Sequence, residues 1–246
     1  MKRQISTQGI ILRRVDFQNS SLIIFCLTSE LGRISVVAKG AKRQKSKFLG
    51  KLDLFNLVDL RLYKSESSEL FTLVDVDVKM HFIQNTDLSK SIYFYAAAEV
   101  FLQLHALEDK KFLALLKEFY DAISQQKFEL FLIFIRFCLR LNKYLGIDFQ
   151  PQLYPAKKTL SKQVDLDPQV KHKRKVFQED SLSSISDELL QILHKIHPLT
   201  NFPKSFVVKK QIKKEFINLF RLHLEKSFHK KFHIRSFDVF SLHSIS

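Results

Sequence analysis

"RISVVAKGAKRQKSKFLGKLDLFNLVDLRLY", residues 33–63, sets two alternating runs on either side of a positive connection. In 33–39, Ile34, Val36 and Ala38 share one face, and Arg33, Ser35, Val37 and Lys39 share the other. In 57–63, Val58, Leu60 and Leu62 recur at every second position. A period of two marks half-buried β-strands. Between the runs, from Lys39 to Lys51, stand six basic residues (Lys39, Lys42, Arg43, Lys45, Lys47 and Lys51) and no acidic one.

Outward from this stretch the same period continues. "GIILRRV" (9–15) and "SLIIFCLT" (21–28) are β-rich runs separated by the turn-forming "DFQNS". "LFTLVDVDVK" (70–79) puts Leu70, Thr72, Val74, Val76 and Val78 on one side. Turn signals stand at Gly32, at Gly40 and at "KSESSE" (64–69). Five short strands in about 75 residues, with one long connection, predict a small Greek-key barrel, of which the OB-fold is the commonest five-stranded form.

After residue 80 the period changes. "TDLSKSIYFYAAAEVFLQLHAL" (86–107), with Thr86 or Asp87 as N-cap, and "KKFLALLKEFYDAISQQ" (110–126) are predicted helices. "FELFLIFIRFCLRLNKYLG" (128–146) is apolar on nearly every face and closes at Gly146, which assigns it to the middle of a bundle. "SISDELLQILHKIH" (184–197) and "VVKKQIKKEFINLFRLHLEKSF" (207–228) return to helical spacing. Between 128–146 and 184–197, the stretch 148–180 holds three of the chain's five prolines and no clear period. The sequence therefore reads as α+β: an OB-fold β-barrel over 1–80, then an α-helical bundle domain over 81–246 with an irregular basic insertion at about 148–180.

The chain has 246 residues, 46% hydrophobic and 12% aromatic, the composition of a globular protein. Its formal net charge of +15 comes from 40 Lys+Arg against 25 Asp+Glu. Residues 1–80 hold 14 basic and 8 acidic residues, 81–150 hold 8 and 8, and 151–246 hold 18 and 9. A neutral middle between basic ends favours a polyanionic partner: nucleic acid, an anionic membrane surface or an acidic protein tail. Lysine-rich composition is the competing explanation.

Cys26 and Cys138 lie in apolar runs far apart, so reduced, buried thiols are expected. The N-terminus lacks the apolar core of a signal peptide, and "LFLIFIRFCL" (130–139) is too short and too charged to span a bilayer. A soluble, cytoplasmic protein without a membrane role is expected.

No constellation for catalysis is legible. The five glycines match no phosphate loop, and G-x-S-x-G, H-E-x-x-H and paired-cysteine motifs are absent. His194 and His197 stand one turn apart without further ligands nearby, and Asp75 and Asp77 read as a solvated strand face. No catalytic residue, metal or cofactor is expected. The binding candidates are Lys39, Lys42, Arg43, Lys45, Lys47 and Lys51, to track phosphates, with Phe48 to stack on exposed bases. A second basic patch, Lys209, Lys210, Lys213 and Lys214, crowds the first turns of a helix, where the macrodipole already disfavours cations. A third, "KHKRK" (171–175), lies in the insertion.

The N-terminal block resembles RecO, a bacterial recombination-mediator and DNA-repair family. The similarity runs through "GIILRR" (9–14), "LTSELGRISVVAKGAKR" (27–43), "KS" (45–46) and "GKLDLF" (50–55). "YLGIDFQPQL" (144–153) resembles the family's segment after the central helix, and "HKKFHIRSFDVF" (229–240) its C-terminal segment in weaker form. The resemblance implies binding of single- and double-stranded DNA, annealing of complementary strands, and help in loading RecA onto DNA coated by single-stranded-DNA-binding protein (SSB). It implies RecR as partner, RecF in the same pathway, and no covalent chemistry. Lys39, Lys42, Arg43, Lys45 and Lys47 stand on the family's basic block, and Arg136 on a position that engages the SSB C-terminal tail. Many members have a four-cysteine zinc module after the central helix; here 148–180 has no cysteine, so no zinc is expected. The alternatives are a basic protein-interaction adaptor and an RNA- or ribosome-associated OB-fold protein.

Overall fold

A computed structural model describes residues 3–66, 68–83, 87–105, 107–147, 185–196, 202–203 and 205–242. The strands are β1 (Arg3–Phe17), β2 (Ser21–Thr28), β3 (Arg33–Ala38), β4 (Asn56–Lys64) and β5 (Phe71–His81). They close a barrel in the order β1-β2-β3-β5-β4, and β4 returns to β1. Every pairing is antiparallel except β3 with β5, which is parallel. This is the expected five-stranded OB architecture.

The alternation in 33–63 becomes the barrel interior. Ile34, Val36, Ala38, Val58, Leu60 and Leu62 form one core with Ile11, Ile24 and Cys26. β1 is longer than "GIILRRV" suggests because it serves two neighbours, pairing with β4 from Arg3 to Ile10 and with β2 from Gly9 to Phe17. At the overlap Gly9 lies between Thr28 and Val58, and a Cβ there would sit 2.9 Å from the Leu27 carbonyl oxygen. Only glycine allows that approach of backbones.

β5 departs from the expected single face. Leu73 and Val76 point inward, not the series Leu70, Thr72, Val74. The β4 register steps from Arg61↔Asp75 to Leu62↔Leu73, so Val74 is an extra, bulged residue. A bulge flips the alternation beyond it, which a strict period of two cannot register.

The helices are α1 (Leu88–Gln103), α2 (Lys110–Gln125), α3 (Leu130–Tyr144), α4 (Asp187–Lys195), α5 (Lys210–Phe228) and α6 (Arg235–Leu242). Asp87, Asp109, Glu129 and Ser186 cap the first four, each side chain accepting from a backbone N–H of the first turn. α3 is the bundle's centre, with Phe131, Leu132, Phe134, Ile135, Phe137, Cys138 and Leu141 all buried, and Gly146 follows it at φ 73°. α6 was not anticipated. It is short, and its Phe237 and Phe240 supply aromatic contacts to Tyr93, Phe131, Phe134 and Phe220.

The second core extends onto the barrel's exterior. Ile10, Leu12, Leu27, Phe55 and Leu57 pack with α1 and α2 rather than inside the barrel. The insertion at 148–180, with its "KHKRK" run, lies outside the described residues.

Candidate nucleic-acid interface

The basic connection between β3 and β4 is a chain of turns rather than an open loop. Arg43 N–H donates to Gly40 O (3.1 Å), Ser46 to Arg43 (3.0 Å), Leu49 to Ser46 (3.2 Å) and Lys51 to Phe48 (3.1 Å). Gly40 starts it at φ 70°, a left-handed conformation that favours glycine. Ala41, Phe48 and Leu52 turn inward and join the barrel core.

Phe48 was expected to stack on bases; it is instead a plug. Its ring is 5% exposed and packed in the barrel interior, so no base can reach its face. The apolar drive to close the barrel's end outweighs any surface role for it. Phe55, at the other end, sits at φ 64° and is wholly buried between Phe94, Tyr95 and Tyr120, with centroids 5.6, 5.0 and 5.7 Å away.

The six cations divide by what they touch. β3 pairs with β5 only at Val36↔Phe71 and Val37↔Thr72, so the β5 edge beyond Thr72 has no strand beside it. There the Lys47 amine donates to Val74 O (2.5 Å) and the Lys51 amine to Val76 O (3.0 Å). These lysines take the place of a strand's N–H donors along an unpaired edge. Lys51 also approaches Asp77 at 3.9 Å, and Lys42 is paired with Asp16 at 2.6 Å. Lys39, Arg43 and Lys45 are exposed, and no carboxylate among the described residues pairs with them. The cations free to meet phosphate are therefore Lys39, Arg43 and Lys45.

The second patch is partly neutralised from other elements. Lys209 pairs with Glu188 of α4 (3.0 Å), and Lys213 with Glu129, the α3 cap (3.0 Å). Lys213 also lies 5.5 Å from the Phe131 ring centroid, while Lys210 and Lys214 are exposed. The sequence showed the missing acids within the helix but not the acids that neighbouring helices bring.

Arg136 lies on the α2-facing side of α3, half-buried, and its Nε has no hydrogen-bond partner among the described residues. Beside it are Ile133, the stacked pair Phe119 and Phe137 (4.3 Å), and Arg140, which is tied to Glu118 at 2.5 Å. His194 is exposed, and His197 lies outside the described residues. Among the described residues no cluster of His, Cys, Asp or Glu is placed to hold a metal, and no helix is long and apolar enough to cross a membrane. Asp75 pairs with Arg61, so the acidic strand face is one of ion pairs. Burial pushes both cysteine thiols far above their ordinary pKa, leaving them protonated and unreactive.

Beside the loop, the outer faces of β1, β2 and β3 present residues the sequence reading left unassigned. Arg13 stands opposite Phe25, with its guanidinium carbon 5.8 Å from the ring centroid. Phe25 faces away from Ile24 and Cys26 in the same strand, a signal the period of two already contains.

Residues 1–82 match the family described as "Recombination protein O N terminal". The match spans all five strands and the basic connection. Over residues 1–82 the chain is similar to the N-terminal domain of RecO. Among curated relatives, "DNA repair protein RecO" of Rhodopirellula baltica is 42% identical over 74 residues, 30% of this chain and 27% of that protein. The protein of the same name from Chlorobium limicola is 27% identical over 154 residues, 61% of this chain and 58% of its own length. That of Anaeromyxobacter sp. is 31% identical over 125 residues, 49% of each chain. These matches span between a quarter and three fifths of the RecO relatives they cover.

Proposed function

We propose that this chain is a DNA-binding mediator of recombinational repair. It would bind single- and double-stranded DNA through the β3–β4 loop, anneal complementary strands, and assist RecA loading on SSB-coated DNA together with RecR, with RecF in the same pathway. The observation that carries the reading is the trio Lys39, Arg43 and Lys45, three uncompensated cations projecting from a loop anchored at both ends, within the region similar to the RecO N-terminal domain. The turns and buried side chains of the loop hold the three backbone positions in place, and each cation that meets phosphate releases counterions from the nucleic acid. The acidic C-terminal tail of SSB is assigned to Arg136, whose unpartnered Nε and aromatic neighbours suit a carboxylate carried on an apolar peptide.

The test is fluorescence anisotropy of a labelled single-stranded oligonucleotide, followed by annealing of complementary strands coated with SSB. Replacing Lys39, Arg43 and Lys45 with Ala is expected to weaken oligonucleotide binding at least tenfold at moderate salt and to slow annealing. Unchanged binding would refute the loop assignment. Arg136→Ala is expected to weaken binding of the SSB tail peptide and leave oligonucleotide binding alone.

A further inference from the structure

We infer that the cleft in the helical bundle lined by Tyr93, Lys127 and Lys213 is a binding site for a small apolar molecule carrying one carboxylate.

Segments far apart in sequence build the cleft. It holds about 670 Å³ between the first turns of α1, the α2–α3 connection, the chain entering α5 at 205–207, Lys213 of α5 and Phe240 of α6. Ile92, Phe128, Leu130, Phe206, Val207 and Phe240 give it apolar walls. Small-molecule sites have this size, roughly 300–1,000 Å³, and combine apolar walls with a few placed polar groups. No described residue is shared with the cleft beside Arg136.

The charged and hydroxyl groups on its wall have donors to spare. Tyr93 is 5% exposed, and its ring is fixed by Phe240 (4.9 Å) and Phe134 (5.9 Å). Its hydroxyl has no hydrogen-bond partner among the described residues, a cost that an acceptor on a ligand removes. Burial and the nearby Glu129 carboxylate push the phenol far above its ordinary pKa, which keeps it a neutral donor. Glu129 is engaged at both oxygens: one accepts from Leu132 N–H (2.8 Å) and the other faces Lys213 (3.0 Å). The Lys213 ammonium has three N–H groups, so donors remain after Glu129 is met. Lys127 is exposed beside them, with no carboxylate partner among the described residues. At the cleft's edge α5 begins without a side-chain cap, and its dipole adds positive potential.

Spare donors select an anion, and the apolar walls select an apolar body for it. The charge count sets its valence. Glu129 offsets part of the Lys213 charge, which leaves this half-buried site matched to one negative charge. A phosphate chain or an acidic tail would set several charges against the Glu129 carboxylate. The occupant is therefore a small monoanion, its carboxylate at Tyr93 and Lys213 and its body against Phe128, Phe206 and Phe240.

The probe is sodium decanoate, titrated calorimetrically into the whole chain, with decylamine as its cationic counterpart. Decanoate is expected to bind one per chain and to raise Tm, and decylamine to do neither. Tyr93→Phe keeps the ring contacts and is expected to weaken decanoate about fivefold with an unchanged circular-dichroism melt. Lys213→Met is expected to weaken it at least about tenfold. The chain has no tryptophan, so Val207→Trp, at a position 73% exposed, places a unique fluorophore at the mouth. Its emission is expected to shift when decanoate is added. Failure of decanoate to bind the parent overturns the proposal, and so does equal binding of decylamine, which marks the cleft as merely apolar. Calorimetric binding that leaves the Val207→Trp emission unmoved overturns the location. Parent-like binding by both Tyr93→Phe and Lys213→Met overturns the placement of the carboxylate. A multiply charged acidic peptide that displaces decanoate at lower concentration overturns the small monoanion as occupant.

Discussion

Lys47 and Lys51 differ from Arg43 and Lys45 only in what their side chains meet, and that difference makes opposite predictions. The first pair donates to the Val74 and Val76 carbonyls of an unpaired strand edge. Lys47→Met and Lys51→Met are expected to lower Tm by about 2 °C each, with oligonucleotide affinity changed less than twofold. Arg43→Ala and Lys45→Ala should do the reverse, and thermal melts beside anisotropy titrations check both halves. Asn142 gives a second prediction at this scale. Its side chain is wholly buried, and neither amide atom has a hydrogen-bond partner among the described residues. Asn142→Leu removes an unsatisfied polar group and is expected to stabilise the chain by about 1 kcal/mol in urea unfolding. Glu30 accepts from Ser29 and from Thr7 (2.7 Å), and these bonds hold its carboxyl below the ordinary 4.5. Because the native value is the lower one, its stabilisation is complete above pH 4.5 and is lost as pH falls through the native value. Glu30→Gln is therefore expected to flatten the acid side of the stability curve.

Among the elements, the β3–β4 connection carries both structure and candidate site. Phe48 and Leu52 enter the barrel while Lys47 and Lys51 lie along β5, so an i, i+4 spacing sorts plug from edge. Phe48→Ala is expected to cost about 3–5 kcal/mol, measured by denaturant unfolding, whereas a surface stacking ring would cost far less. Much of this was legible beforehand: the alternations in 33–39 and 57–63 are the observed inward sets, and the apolar run at 128–146 is the buried α3. The role of Phe48 was not, because an aromatic in a basic loop has the same sequence signature whether it plugs or stacks. Nor was the β5 bulge, which changes register without leaving a glycine or proline to mark it. The pairing of Lys213 with Glu129 joins residues 84 positions apart, beyond any local pattern.

For the molecule as a whole, two cores share one seam. Phe55 ends the basic loop yet belongs to the helical core, ringed by Phe94, Tyr95 and Tyr120, so the loop is tied to the barrel at Phe48 and to the bundle at Phe55. The barrel's charge, 14 basic and 8 acidic residues over 1–80, is not spread evenly: carboxylates are interleaved with cations on the β4–β5 wall, while Lys39, Arg43 and Lys45 project beside the β1–β3 wall with no carboxylate partner among the described residues. This directional field, more than total charge, underlies the proposed nucleic-acid role. The salt dependence of single-strand affinity tests it most directly. A plot of log affinity against log salt is expected to be steep for the parent, and about 2 units shallower once Lys39, Arg43 and Lys45 are replaced with Ala, as expected for three lost phosphate contacts on a single strand. An unchanged slope in the triple variant would contradict the account.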